Sequence, residues 1–295
     1  MNALKKVLVI IGLSGLLGLF SACEYDVAIQ DDKENSMEYT YKVLVETREA
    51  AWCVFSPMGD YDAAQFKSLF KANQYEFVVY HFNDAMDIVE DDHIDLRFLN
   101  TGFPCARFNR SGTSPIGRVG WQQAITYWDD FVESNRTNCG LAIDASTISD
   151  DHLQLEVALA INSNGIPDSD YYLTVLLIEK EAQGLGAGWD QENYFNNTSG
   201  PFYNLGDPII GYKHPNCVVK VVTNLADPYG EVLTKSQVEP NSESTFNFDV
   251  DLEGLNEDLR VVAFITSVHK DEFMNDLTVV SNAQFVDIGK VQDFD

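Results

Sequence analysis

The hydrophobic pattern of the first half of the chain alternates between strand and helix periods. Short apolar or alternating runs bounded by polar residues predict strands, and apolar residues spaced three and four apart predict amphipathic helices. The strands are predicted at residues 41–46, 77–82 and 103–109, and the helices at 57–72, 87–99 and 117–133. Because strands and helices alternate, this half is predicted to form a parallel or mixed α/β sheet.

From about residue 138 the pattern changes to alternating runs without helices. Seven strands are predicted, separated by turn clusters such as 162–167 and 227–230. They lie at 141–145, 153–161, 171–179, 217–223, 245–252, 260–267 and 283–288. Seven short strands of this kind favour an immunoglobulin-like β-sandwich. The chain is therefore predicted to be α+β with two domains, at 41–137 and 138–295.

Length, composition and charge agree with two packed domains and exclude one class of partner. The chain has 295 residues, of which 45% are hydrophobic, so it has ample material for cores. Lys and Arg number 19 against 46 Asp and Glu, giving a net charge of -27. Since no basic stripe interrupts this acidic surface, we expect no nucleic-acid partner.

The first residues predict export and a lipid anchor. Lys5 and Lys6 precede an apolar run at 7–20 that is too short to span a bilayer, as in a secretory signal. The run closes on Phe20-Ser21-Ala22-Cys23, which looks like a bacterial lipobox. We therefore expect residues 1–22 to be a lipoprotein signal peptide and Cys23 to carry acyl chains such as palmitate, which attach a protein to a membrane without spanning it. Residues 23–40 are polar and acidic and are predicted to be a tether, either merely solvated or similar to a surface-export signal.

The loop at 52–57 carries the one recognisable chemical motif. Cys53 lies just before the helix predicted from Pro57, where the helix dipole favours a thiolate. This placement resembles a thioredoxin-like active-site loop, and Pro104 lies where that fold keeps a cis-proline. Ser56 stands where a dithiol enzyme has its second, resolving cysteine. Two interpretations stay open: a scaffold that has lost its chemistry, and a monothiol exchange centre using Cys53, with Cys105 beside the proline as a possible pairing partner.

A long segment between the third and fourth strands of the second half is a candidate binding loop. It extends over about 180–213, and a loop of this length is usually functional or disordered. Its aromatic content argues against disorder. The side chains can stack against a sugar or a peptide, or fold down over the sandwich edge. The candidate binding residues are Trp189, Tyr194, Phe202, Tyr203, Tyr212 and His214.

The remaining cysteines and histidines indicate disulfides rather than a metal or cofactor. Four cysteines besides Cys23 form an even set, for which an oxidising compartment allows three connectivities. The simplest pairing keeps bridges within the domains, Cys53 with Cys105 and Cys139 with Cys217. The five histidines have no metal-ligand spacing, and we expect neither a metal nor a cofactor.

Taken together, these motifs resemble the outer membrane protein twenty-eight family of Bacteroidota lipoproteins. The likeness consists of the lipobox, the strand at 43–46 before Trp52-Cys53-x-x-Ser56-Pro57, Gly102-Phe103-Pro104 followed by Phe108-Asn109-Arg110, and the strands at 171–179 and 260–265. Two positions depart from the family. Ser56 replaces its second cysteine, and 215–220 lacks its expected histidines.

The resemblance implies an outer-membrane lipoprotein, facing the cell surface, without established catalysis. We expect it to act by binding, as an accessory subunit of an outer-membrane uptake complex or as an adhesin or receptor. Its partners would be the membrane, through the acyl groups, and an outer-membrane transporter or surface protein. The alternative is an extracytoplasmic monothiol disulfide isomerase that uses Cys53.

Overall fold

A computed structural model describes most of the chain beyond residue 37. The described residues are 38–69, 74–88, 97–99, 102–111, 116–117, 128, 131–132, 135–149, 151–223, 229–270 and 276–295. The predicted signal peptide, Cys23 and most of the tether lie outside them, as do most residues of the helices predicted at 87–99 and 117–133. No helix within the described ranges is long and apolar enough to cross a membrane.

One α-helix and fifteen strands have both ends within the described residues. The helix α1 is Ser56–Lys67, and short 3-10 turns lie at Tyr194–Asn197 and Lys235–Gln237. The strands are β1 Tyr39–Thr40, β2 Val43–Glu49, β3 Tyr75–His81, β4 Cys105–Phe108, β5 Ile116–Gly117, β6 Arg136–Thr137, β7 Cys139–Ser149, β8 His152–Ile161, β9 Asp170–Ala182, β10 His214–Val221, β11 Glu231–Val232, β12 Glu243–Asp251, β13 Leu259–Lys270, β14 Asp276–Asp287 and β15 Val291–Gln292.

The α+β class is confirmed, together with the first helix, the three strands of the first half and all seven of the second half. Most of the strands extend a few residues beyond their predicted bounds, as is usual for bounds read from sequence. Whether the second half has immunoglobulin-type topology stays a prediction at this point.

One large sheet joins strands from both predicted domains. Its path is β14-β13-β9-β10-β3-β2-β4-β5, with β11 added beside β9. The two halves meet where β10 pairs in parallel with β3, with Cys217 opposite Val79. A second sheet has the order β12-β8-β7-β15. Hydrogen bonds of the large sheet therefore cross the predicted boundary at residue 137, and the described residues form one compact unit.

The large sheet has one continuous apolar face and one divided face. Alternate residues of each strand point to opposite faces. Leu44 of β2, Ile178 of β9 and Phe264 of β13 contribute to a single cluster on the continuous face. On the other face, the four-stranded sheet covers β9 and β13, while α1 packs its Ala63 and Phe66 over β2 and β3. Every residue of β2 is buried, including those on the face that α1 does not cover.

A buried ion pair lies within the continuous face. The Arg110 guanidinium donates two hydrogen bonds to Glu46, from Nε to Oε2 at 2.9 Å and from Nη2 to Oε1 at 2.8 Å, and both side chains are fully buried. Tyr80 also donates to Glu46, at 3.0 Å, and Arg110 reaches Thr266 of β13 at 3.3 Å. The pair thus connects β2 and β3 to a strand of the second half.

The Arg110→Met substitution should destabilise the protein by about 3–5 kcal/mol, because it leaves the Glu46 carboxylate buried without its partner. Urea unfolding of the full chain, followed by circular dichroism, measures the loss. The control is Arg136→Met, which removes a guanidinium that is exposed on β6.

The double variant Glu46→Leu with Arg110→Met should recover part of this loss, since no isolated charge then remains. If Arg110→Met were as stable as Arg136→Met, the pair would not hold the sheet together.

Candidate functional site

The candidate site lies where the loop after β2, the start of α1 and the proline before β4 meet. The loop turns sharply, with the Cys53 amide donating to the Ala50 carbonyl at 3.0 Å. The Phe103–Pro104 bond is cis, as predicted. Gly59 of α1 faces this proline, and a Cβ at Gly59 would lie 2.8 Å from carbons of Pro104 and 2.9 Å from Glu49 Oε1. The helix can approach the proline this closely only because residue 59 has no side chain.

The thiol and hydroxyl of the motif are both enclosed. The exposed fraction is 7% for Cys53 and 1% for Ser56. The Ser56 hydroxyl accepts a hydrogen bond from the Ala50 amide at 3.3 Å and also hydrogen bonds to the Glu49 carboxyl. Ser56 therefore stabilises the loop from within, and it offers no second thiol to resolve a mixed disulfide.

The segment at 183–213 packs directly on this loop. Gln191 Nε2 donates to the carbonyls of Ala51 at 3.0 Å and Cys53 at 2.9 Å. The Tyr194 amide donates to the Val54 carbonyl at 3.1 Å. Polar groups that a redox loop would present to a substrate are thus bonded within the chain itself.

The predicted binding residues of this segment divide into two groups. Phe202 and His214 are buried, and Trp189 and Tyr212 are partly buried. Trp189 packs so closely on Gly184 that a Cβ there would lie 2.2 Å from the indole ring. Only Tyr194 and Tyr203 are largely exposed, at 62% and 58%. Most of the segment therefore folds down over the protein, and its exposed aromatic groups are few.

Three exposed aromatic side chains lie on the loop and on the segment that packs against it. Trp52 and Phe55 are 41% and 42% exposed, and the Phe55 and Tyr194 rings lie 5.0 Å apart. The indole of Trp52 contacts Phe103 at 4.9 Å and donates to the Phe82 carbonyl at 2.9 Å. We call Trp52, Phe55 and Tyr194 the aromatic surface.

Two carboxyl groups lie beneath α1. Tyr212 donates its hydroxyl to Asp60 Oδ2 at 3.0 Å. Burial raises the pKa of Asp60 to about 7, against the Tyr212 hydrogen bond, which acts to lower it. Burial also raises the pKa of Glu49 well above its usual value, and the neighbouring Asp60 charge raises it further. Both groups therefore keep a proton to higher pH than an exposed carboxyl does.

The histidines near the loop act as internal contacts. His81 Nδ1 lies 2.7 Å from Asp84 Oδ2, and His214 Nε2 donates to the Trp189 carbonyl at 2.8 Å. Burial and the adjacent His81 lower the pKa of His214 to about 4, so its ring is neutral at physiological pH. Among the described residues no cluster of three or more His, Cys, Asp or Glu side chains is arranged to hold a metal.

The disulfides predicted between Cys53 and Cys105 and between Cys139 and Cys217 are not formed. All four are buried free thiols. Cys105, Cys139 and Cys217 belong to three different hydrophobic clusters, so each fills a core position. Burial raises the pKa of Cys139 to about 12, as expected for an inert structural thiol. An even cysteine count alone does not bring sulfur atoms together.

Sequence reasoning did not single out Glu49, Asp60 or Gln191. One signal was available: Glu49 follows the alternation of Val43, Val45 and Thr47, which places a carboxyl on the face of β2 that α1 covers. No local pattern could show that Gln191 reaches the loop, since 138 residues separate it from Cys53.

Comparison with known proteins supports the fold alone. No protein-family model and no curated protein matches the chain. Among solved structures it is similar to HBP35 of Porphyromonas gingivalis, with a TM-score of 0.62 at 16% identity. The likeness covers 85% of this chain and 76% of that chain. At this identity the likeness extends to the fold alone.

The Gln191→Ala substitution should open the loop and expose Cys53. The substitution removes one of two donors from each of the Ala51 and Cys53 carbonyls, which also accept from the Glu192 and Ser56 amides. Loss of these two hydrogen bonds costs about 1–3 kcal/mol, so local opening becomes more frequent. Alkylation of Cys53 by iodoacetamide in the native chain, followed by mass spectrometry, should become about tenfold faster.

Gln183→Ala is the matched control, because Gln183 donates to Gly211 at an exposed position. Cys139 in the same sample reports global unfolding. Fast alkylation of Cys53 in the unmodified chain would show that the loop is not sealed.

The Asp60→Asn substitution should flatten the pH dependence of stability. With a pKa of about 7 in the folded chain and 3.8 in a free aspartate, Asp60 binds more protons in the folded state. Its contribution is therefore complete below pH about 4 and is lost as the pH rises through about 7. Urea midpoints at pH 5 and pH 8 should differ less in Asp60→Asn than in the unmodified chain. An unchanged difference would contradict the raised pKa.

Proposed function

We propose that this protein acts by binding a protein partner through the aromatic surface. The observation that carries the proposal is the exposure of Trp52 and Phe55 on a loop whose own thiol and carbonyls are sealed, together with the exposure of Tyr194 on the segment packed against that loop. The chain keeps the loop in place and presents aromatic rings at its edge. This arrangement suits recognition better than thiol exchange.

The chemistry of the three rings favours a protein partner. Trp and Tyr are enriched among the residues that carry most of the energy of protein interfaces, because they bury a large area with few rotatable bonds. The backbone beneath them is fixed by Gln191 and by the Tyr194 amide. Little conformational entropy is then lost on binding, which raises affinity.

The domain types support the same role. The order β2-α1-β3 with a parallel pair, antiparallel β4 and a cis-proline facing the helix supports a thioredoxin-like first part. The facing sets β12-β8-β7 and β14-β13-β9 support an immunoglobulin-like second part. The protein then consists of a degenerate thioredoxin-like part whose sheet continues into the immunoglobulin-like sandwich of the second part.

The proposed location is the outer membrane of a bacterium of the Bacteroidota, facing the cell surface. The motif ending in Cys23 supports a lipid anchor, and the net charge of -27 disfavours direct contact with anionic lipid. Membership of the outer membrane protein twenty-eight family belongs to the same proposal. A partner embedded in that membrane, such as a transporter, would be within reach of the anchored chain.

A monothiol isomerase is the second candidate, favoured by Cys53 at a helix start opposite a cis-proline. It requires an accessible thiol, and the 7% exposure of Cys53 does not favour it. The test is refolding of scrambled ribonuclease in the presence of the unmodified chain or of the Cys53→Ser variant. Isomerase activity that is lost in Cys53→Ser would replace the binding proposal.

Substitution of both Trp52 and Tyr194 by Ala should abolish binding of a partner protein in the membrane. The tagged chain is purified from detergent-solubilised membranes of its own cells after crosslinking through p-benzoylphenylalanine at position 55. One protein should crosslink and co-purify in stoichiometric amount, and the double substitution should reduce it by about tenfold or more, as expected for loss of two central aromatic contacts.

Ile148→Ala is the matched control, because Ile148 is 47% exposed on β7 of the smaller sheet. A chain with Cys23→Ser, prepared in parallel, should leave the membrane fraction. A crosslinked partner that the double substitution retains in full would exclude the aromatic surface as its binding site.

A further inference from the structure

A cavity separates α1 from the sheet beneath it. Its volume is about 210 Å³, comparable to about seven water molecules in the liquid. Phe77 and Val79 of β3 form its floor and Ala63 of α1 forms part of its roof. Ala64, which also lines it, is exposed, so the cavity reaches the protein surface beside the helix.

Two carboxyl groups face this mostly apolar space. Glu49 and Asp60 both line the cavity. Glu49 is 4% exposed, and its Oε2 has no hydrogen-bond partner among the described residues. A buried carboxyl oxygen without a partner costs free energy, which a donor placed in the cavity would recover.

Neither carboxyl has an ion-pair partner in the described part of the chain. Lys67 lies at the cavity edge, and its ammonium is 5.5 Å from the centre of the Phe77 ring, while no ion pair joins it to Glu49 or Asp60. An anionic ligand would be repelled by both carboxyls. A cation with an apolar body matches the lining in charge and in polarity.

We propose that this cavity binds a small organic cation, a primary amine on a short apolar group, with its ammonium against Glu49 and its apolar part over Phe77 and Val79. The ammonium donates hydrogen bonds to the free Oε2 and forms a charge-assisted pair. On binding, the carboxyl releases its proton to solvent and the cation takes its place. The charge within the cavity therefore remains balanced.

Proton release makes binding depend on pH. The raised pKa of Asp60, about 7, means that part of this release occurs near neutrality. The titratable groups that share the cavity with Glu49 or act on its charge are Asp60, Lys67, Cys53, Tyr212 and Cys217. Since the carboxyls must lose a proton, affinity for an ammonium should rise from pH 6 to pH 8.

The experiment is calorimetric titration of the full chain with benzylamine and with benzyl alcohol, its neutral analogue of the same shape. Benzylamine should bind about tenfold or more tightly than the alcohol, and it should release protons at pH 6 when two buffers of different ionisation enthalpy are compared. Equal affinities, or binding without proton release, would overturn the proposal. So would the absence of any benzylamine binding at millimolar concentration.

Two substitutions and one control test whether the amine binds in this cavity. Glu49→Gln keeps the side-chain shape and should weaken benzylamine by about tenfold or more while leaving benzyl alcohol unchanged. Glu231→Gln, the same replacement at an exposed position of β11, should have no effect. Ala63→Leu fills the cavity without touching a carboxyl and should abolish binding of both probes. Unchanged benzylamine affinity in Glu49→Gln or in Ala63→Leu would exclude this cavity.

Discussion

The rest of the structure depends on the buried pair of Glu46 and Arg110. A desolvated guanidinium is stable there because its carboxylate partner is close and the Phe98 and Phe264 rings lie at 4.1 and 4.8 Å. Arg110 follows β4 directly, so the pair holds the end of β4 beside the middle of β2. Pro104 immediately precedes the same strand. Pairing of β4 with β2, together with this ion pair, therefore places the proline against α1.

The residues of β2 have different roles on the two faces of the large sheet. Residues of β2 on the continuous face take part in the ion pair and the shared core, whereas those on the other face lie beneath the helix. Glu46 and Glu49 are three positions apart and so belong to opposite faces. The first carboxylate is fully paired and has a structural role. The second has a free oxygen and faces a space that a ligand can enter.

The sequence pattern predicts which residues form strands and helices, but not which of these elements lie next to one another. Strand and helix patterns were sufficient to place α1 and the main strands, and the local motif was sufficient to place Pro104 opposite the loop. Long-range placement was not accessible: the continuous sheet depends on Val79 lying opposite Cys217, and the sealed loop on Gln191. The cysteine pairing was wrong for the same reason, since spacing along the chain does not measure the distance between sulfur atoms.

The parallel pairing of β3 with β10 constrains the order in which the protein can fold. Residues 214–221 are distant from β3 in the sequence, so the outer edge of β3 is open until they pair with it. An open strand edge invites pairing with another chain, and contacts this distant in sequence form slowly. Completion of the large sheet therefore depends on a slow contact between segments that are distant in the sequence.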